Sequence, residues 1–241
     1  MKLNLLTVCT DWYPLEYANK LVNRLNEVSQ YDISNYCITD RDIQFAEPIK
    51  PKLPPGSGWW NKTQLFDING PSGWNLYMDI DIVIIKEFDH VIDHVMREDK
   101  RDTITCVSDA IGWMDNKFSS SWMMFYRGAG ADIPTTFMTD SNNIMKQPGG
   151  DQVWIGKTMQ PKIEYIDDTF PHLKKNLKYD LGSKIFAPLS STHPVRLPGS
   201  KWQFPTVLDK RVSLVDCGGK PKPHDLEQLD YIKRNWHDVR I

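Results

Sequence analysis

Two aspartates, Asp79 and Asp81, interrupt the apolar run 74–85, WNLYMDIDIVII. A run this rich in Ile, Val and Tyr is expected to form one central strand. Side chains alternate faces along a strand, so both carboxylates would point the same way, roughly 6.6 Å apart. Like charges at that spacing raise each other's pKa unless something positive lies between them. A divalent cation that prefers oxygen ligands, Mn²⁺ or Mg²⁺, meets that need. The bland alternative is a strand end with two solvated aspartates. Asp40-Arg41-Asp42, a second copy of the pattern in polar, turn-like surroundings, is an internal control. The pattern alone is weak; its apolar setting at 79–81 carries the metal reading.

Other residues suit the same chemistry. Lys62 follows the pair Trp59-Trp60, Gly149-Gly150-Asp151-Gln152 opens an expected helix, and Gly218-Gly219-Lys220-Pro221-Lys222-Pro223 follows a short strand. Carboxylates that hold a divalent ion, with lysines and glycine amides around phosphate oxygens, fit a diphosphate leaving group. His90 and His94 have a zinc-compatible spacing, but the acid of the metalloprotease pattern is missing and a surface pair is expected. Arg127-Gly128-Ala129-Gly130 is a fragment without the third glycine of a dinucleotide fingerprint, and no Walker-type loop occurs. The paired tryptophans are expected to serve packing.

The elements that must position these groups follow from periodicity. Leu3 to Cys9 reads as a buried parallel strand. Ala18, Leu21, Val22, Leu25 and Val28 have helical spacing after Pro14, and Ile33 to Thr39 reads as the next strand. In such a βαβ start, ligands bind beyond the carboxyl ends of strands, here Thr10-Asp11-Trp12-Tyr13 and Thr39-Asp40-Arg41. Residues 47–58, with four prolines and two glycines, are expected to be a loop, and 59–66 a short helix. Phe88, Val91, Ile92, Val95 and Met96 make one helical face. Thr103 to Val107, Trp122 to Tyr126 and Val212 to Val215 read as strands, with Ser108-Asp109 at the end of the first, and Asp225 as the cap of a short C-terminal helix. With 241 residues, 40% hydrophobic and 25% charged, one α/β domain over 1–241 is expected.

A net charge of −2 and a pI near 6.3 exclude nucleic-acid binding by bulk charge. Cys9, Cys37, Cys106 and Cys217 have neither zinc nor disulfide-framework spacing, so buried reduced thiols are expected. Neither a signal peptide nor a membrane span is expected, and the predicted location is cytoplasmic.

The chain resembles the small GT-A glycosyltransferases of bacteriophages and bacteria, distant relatives of glycosyltransferase family 8. The resemblance covers most of the chain. It rests on stretches 59–66 (WWNKTQLF), 76–81 (LYMDID), 118–124 (FSSSWMM), 150–152 (GDQ) and 219–225 (GKPKPHD). It implies a GT-A-like, Rossmann-related fold, with a mixed, mostly parallel central sheet flanked by helices. The implied activity is metal-dependent transfer of a sugar, with retention, from a nucleoside-diphosphate sugar, UDP-hexose first, to a glycan, protein or small-molecule acceptor. A phage-encoded enzyme would work in the host cytoplasm. Asp79 and Asp81 would hold Mn²⁺ or Mg²⁺, Tyr13 would stack on the base near Thr10 and Asp11, and Lys62 and Lys220 would reach the donor. Asp109, Asp151 and Gln152 would face the sugar or acceptor.

The chain departs from the family at two places. Ser119 stands where Asn is usual, and the usual third metal ligand, a histidine, aligns with Gly218. Water is favoured for the vacancy, with His224 and Asp216 as alternatives. Competing readings are a nucleotidyltransferase, which would want a Gly-rich loop after the first strand, and a catalytically idle carbohydrate- or nucleotide-binding protein on the same fold.

Overall fold

The computed structural model describes residues 2–11, 13–109, 117–159, 162–181, 183–184, 194–196, 202–218 and 220–236; Trp12 and Gly219 of the stretches above lie outside them. In chain order the first strands and helices are β1 (Lys2–Val8), α1 (Leu15–Val28), β2 (Asp32–Ile38), β3 (Glu47–Ile49), β4 (Trp74–Met78), β5 (Ile82–Ile84) and α2 (Asp89–Glu98). There follow β6 (Ile104–Ser108), β7 (Phe118–Tyr126), α3 (Asp132–Thr139), α4 (Ser141–Ile144), α5 (Gly150–Met159), β8 (Ile163–Tyr165) and β9 (Lys174–Asn176). The chain ends with β10 (Ser183–Lys184), β11 (Pro194–Arg196), β12 (Trp202–Pro205), β13 (Leu214–Asp216) and α6 (Asp230–Lys233).

A seven-stranded sheet in the order β3-β2-β1-β4-β7-β6-β8 forms the centre. All its pairings are parallel except those of β7, which is antiparallel to both β4 and β6. The expected mixed, mostly parallel sheet is therefore present. β1 reads as a nearly unbroken apolar run because both its faces are covered. Leu3 and Leu5 join one core with Leu21, Val22 and Leu25 of α1 and the apolar face of α2. Leu6 and Val8 join another with Leu65, Phe66, Phe125 and Ile155.

Two smaller three-stranded sheets stand apart, β5-β13-β9 and β10-β12-β11. All four cysteines are buried and free. Among the described residues no helix is long and apolar enough to cross a membrane.

Two expectations need correction. Part of the proline-rich stretch forms β3, parallel to β2 with Cα partners Tyr36↔Glu47 and Ile38↔Ile49. It is an edge strand, where the missing N–H of Pro48 is tolerated. His90 and His94 lie at the surface as expected, and both meet the ring of Phe170 edge-on, at 5.6 and 5.2 Å. Asp225 lies inside the short 3₁₀ turn Pro223–Leu226, accepting a hydrogen bond from the Lys222 backbone N–H at 2.9 Å, and does not cap α6.

The topology brings the chemistry to one edge. β1 and β4 are parallel neighbours, so residues 9–11 and 79–81 emerge side by side. Because β7 runs the other way, its first residues, Phe118 to Ser121, lie at that same edge, facing the end of β6 at Ser108.

Candidate active site

The expected single strand over 74–85 is two strands in two different sheets. β4 ends at Met78, and the Asp79 N–H donates to the Ser121 carbonyl at 2.8 Å. The Ile82 N–H then closes a turn on the Asp79 carbonyl at 3.1 Å, and β5 pairs antiparallel with β13. The flanking apolar residues Met78, Ile80, Ile82 and Val83 are all buried, Met78 and Ile82 in one core and Ile80 and Val83 in another. The two carboxylates fall at the crossing between sheets and not along one strand face, yet both line one small pocket of ≈ 70 Å³ with Thr10, Tyr13, Trp59 and Lys62. Asp79 and Trp59 also line a larger cleft of ≈ 580 Å³, which holds Asp109, Asp151, Gln152 and Asp216. Asp79 thus stands where two compartments meet.

Lys62 is a buried residue of the 3₁₀ segment Gly58–Phe66, not a solvated helix lysine. Its Nζ lies 2.8 Å from Asp79 Oδ1 and 3.5 Å from Asp151 Oδ2. It also donates to Ser120 Oγ at 3.1 Å, and Ser120 Oγ donates to Asp151 Oδ2 at 3.0 Å. Burial alone would push the ammonium's pKa down; Asp151 and Asp79 overcome that and hold it above the usual lysine value. Asp151 itself is raised, by desolvation first and by Asp79, against the pull of Lys62. Asp151 sits in the first turn of α5, where the helix dipole favours an acid, and it faces Lys62 as well. The Tyr77 hydroxyl donates to Asp79, and burial keeps that phenol protonated.

Gln152 Nε2 donates to Asp109 Oδ2 at 2.9 Å, which brings together two of the residues expected near the sugar. Thr10 and Tyr13 line the small pocket. Asp11 does not: its carboxylate accepts the N–H groups of Gly56 and Gly58 at 2.6 and 3.0 Å, fastening the loop that leads into the lysine segment. Trp60 is packing, stacked on Phe137 at 5.5 Å, whereas Trp59 is half exposed at the cleft.

The C-terminal side supplies one residue that the sequence reading passed over, Lys174, and ranks the two lysines of its Lys-Pro repeat. Lys222, and not Lys220, reaches Asp81, forming an ion pair with Oδ2; Lys220 is exposed. Lys222 Nζ also lies 6.0 Å from the Tyr13 ring centroid. From β13, the backbone of Asp216 is paired with that of Ile82, and its carboxylate meets Lys174 of β9 at 2.9 Å. Lys174 donates to Ser121 Oγ at 2.9 Å too. A Cβ on Gly218 would stand 3.1 Å from Asp216 Oδ1, so Asp216 already fills the space beside it. His224 is turned away, its Nδ1 against the Tyr17 hydroxyl of α1.

Among the described residues no three His, Cys, Asp or Glu side chains are gathered closely enough to hold a metal ion by themselves. Asp79 and Asp81 each face a lysine, Lys62 and Lys222. Asp81 is pushed up to about 6 by burial, then by Asp79 and Asp216, with Lys222 opposing. Burial is the first cause of that rise, and two carboxylates are oxygen donors of the kind that Mg²⁺ or Mn²⁺ prefers.

No protein-family model matches the chain, and no curated protein matches it by sequence. Solved structures do match. A crystal structure of GlyE from Streptococcus pneumoniae TIGR4 superposes on 70% of this chain with TM-score 0.52 and 9% identity, and the chain spans less than half, 46%, of that protein. The galactosyltransferase LgtC, solved with donor and acceptor sugar analogues, aligns over 99% of this chain and 97% of its own, with TM-score 0.65 and 11% identity. A glycosyltransferase involved in glycosylating the major capsid of PBCV-1 aligns over 97% and 100%, with TM-score 0.56 and 10% identity. These likenesses show the architecture: the chain has the GT-A glycosyltransferase fold.

Proposed function

We propose that the chain is a glycosyltransferase, working as one domain, that moves a sugar from a nucleoside-diphosphate donor to an acceptor hydroxyl. UDP-hexose is the favoured donor. The observation that carries this reading is the convergence on Asp79. One compartment beside it holds Tyr13 and Thr10, with room for part of a nucleotide, and the other holds Asp109, Asp151 and Gln152. Asp79 and Asp81 would hold the divalent ion, which supplies Lewis-acid stabilisation of the diphosphate when bound.

The chain's own residues do the rest. Lys62 and Lys222 are cations within the small pocket's reach, and their neighbours hold both above the usual lysine value, so they stay charged while negative charge grows on the leaving group. Tyr13 offers a ring to the base. Asp151 is buried behind Lys62 and Ser120, and the Gln152 amide is engaged by Asp109, which argues against either as a free nucleophile. Same-face attack accounts for retention. The acceptor oxygen bonds to the anomeric carbon as its bond to the phosphate oxygen breaks, and the acceptor proton passes to that phosphate oxygen.

Incubation with a panel of nucleotide sugars and Mn²⁺ tests the reading. One or two donors should release nucleoside diphosphate slowly by transfer to water. No release from any donor would contradict the proposal.

A further inference from the structure

Five large apolar side chains are exposed among the described residues, and two of them are aromatic, Trp59 at 50% and Tyr179 at 51%. Both aromatics line the ≈ 580 Å³ cleft. They come from distant parts of the chain, the 3₁₀ segment 58–66 and the turn Leu177–Leu181, so the fold, and not local sequence, places them on one cavity. Trp59 is seated and not merely loose. Its Nε1 would be 3.3 Å from a Cβ on Gly150, a position whose φ of +65° already favours glycine, so the indole approaches the start of α5 closely.

The charge of the cleft is one-sided. Six aspartates and two lysines line it among the described residues. One of the two, Lys174, is committed to Asp216. Asp167 accepts the Ser108 N–H at 2.8 Å and Asp180 the Asn176 N–H at 2.7 Å, so their carboxylates are held in place by backbone and not neutralised.

We infer that this cleft takes an uncharged saccharide as acceptor, with Trp59 and Tyr179 as platforms for the C–H faces of its rings. The inference rests on the proposed transferase function and names the substrate class of that site. Trp and Tyr supply large, rigid, amphipathic area at little entropic cost. The cavity is large enough for more than one ring. The carboxylates accept hydrogen bonds from sugar hydroxyls and repel carboxylated, sulfated or phosphorylated acceptors. The same field does not reject the anionic donor, whose diphosphate would meet Lys62 in the other compartment and Lys222 beside Asp81.

The test uses the full chain with UDP and Mn²⁺ on an array of immobilised glycans, neutral against sialylated, sulfated and uronic-acid-containing ones. Capture is expected to be confined to neutral glycans. Trp59→Ala and Tyr179→Ala should each weaken it roughly threefold to tenfold, while Tyr179→Phe should keep it. Capture mainly of acidic glycans, capture unchanged in both alanine variants, or no capture would each overturn the inference. Calorimetry with UDP on the same preparations separates the two claims. UDP binding with acidic-glycan capture keeps the function and sinks the acceptor class. Neutral-glycan capture without UDP binding does the reverse.

Discussion

Lys62 Nζ sits 2.8 Å from Asp79 Oδ1, joining the 3₁₀ segment to the end of the central strand at the junction of the two compartments. Both side chains are largely withdrawn from water, and Asp151 closes the cluster from α5. Removing the lysine leaves the buried Asp151 and the partly exposed Asp79 without their shared cation. Lys62→Met should therefore cost about 3–5 kcal/mol of stability, read as a lowered urea midpoint. Lys62→Arg should recover much of it. A midpoint unchanged in Lys62→Met would mean that the cluster is open to water.

Lys222, rather than Lys220, faces the acidic pair. Lys222→Ala should weaken UDP binding in Mn²⁺ roughly tenfold or more, the scale of a lost charge-assisted hydrogen bond. Lys220→Ala should change it little. The opposite ranking in calorimetry would restore Lys220 as the diphosphate ligand.

Asp216 is a third carboxylate beside Asp81 that Lys174 keeps occupied. Freeing it should alter the metal site directly. Lys174→Met is expected to tighten Mn²⁺ binding without nucleotide by about tenfold, the low end of effects from groups that touch metal ligands. Adding Asp216→Asn should bring the affinity back. Paramagnetic resonance of free Mn²⁺ reads both; equal affinity in all three proteins would refute the role given to Lys174. His224→Ala should have no effect, since its ring is engaged by Tyr17.

The four thiols are protected by burial. Cys9 is pushed up to about 12 by desolvation first, and burial also raises Cys37, Cys106 and Cys217. Because the folded values exceed the unfolded thiol value of about 8.5, the associated stability is present below that pH and is lost as pH rises towards the folded values. A thiol reagent at pH 8 should label none of the four in the native protein and all four in urea. Rapid labelling of any one in the native state would contradict the buried placement.

The sheet was readable because its strands are long, apolar and bounded. β1, α1 and β2 carry their periods without ambiguity, and the acidic pair stood out against its apolar flanks. What could not be read was the change of sheet at Asp79–Asp81. A continuous apolar run looks the same whether its halves pair with one set of neighbours or two, and only the long-range partners β7 and β13 distinguish them. Lys174 was hidden for the same reason, since nothing local marks a lysine that will meet Asp216, 42 residues later. Lys222 was legible in kind but not in register: the repeated Lys-Pro offers two lysines, and the turn that selects one of them lies in the backbone.

The site stands or falls on whether Asp79 and Asp81 bind a nucleoside diphosphate through a divalent ion. Calorimetric titration of UDP into the protein, in EDTA and in Mn²⁺, measures this directly. Binding should be weak in EDTA and much tighter in Mn²⁺, with the gain abolished by Asp79→Asn and by Asp81→Asn in proteins that keep their far-ultraviolet circular dichroism. Equal affinity in EDTA and Mn²⁺, or a gain that survives both substitutions, would contradict the account.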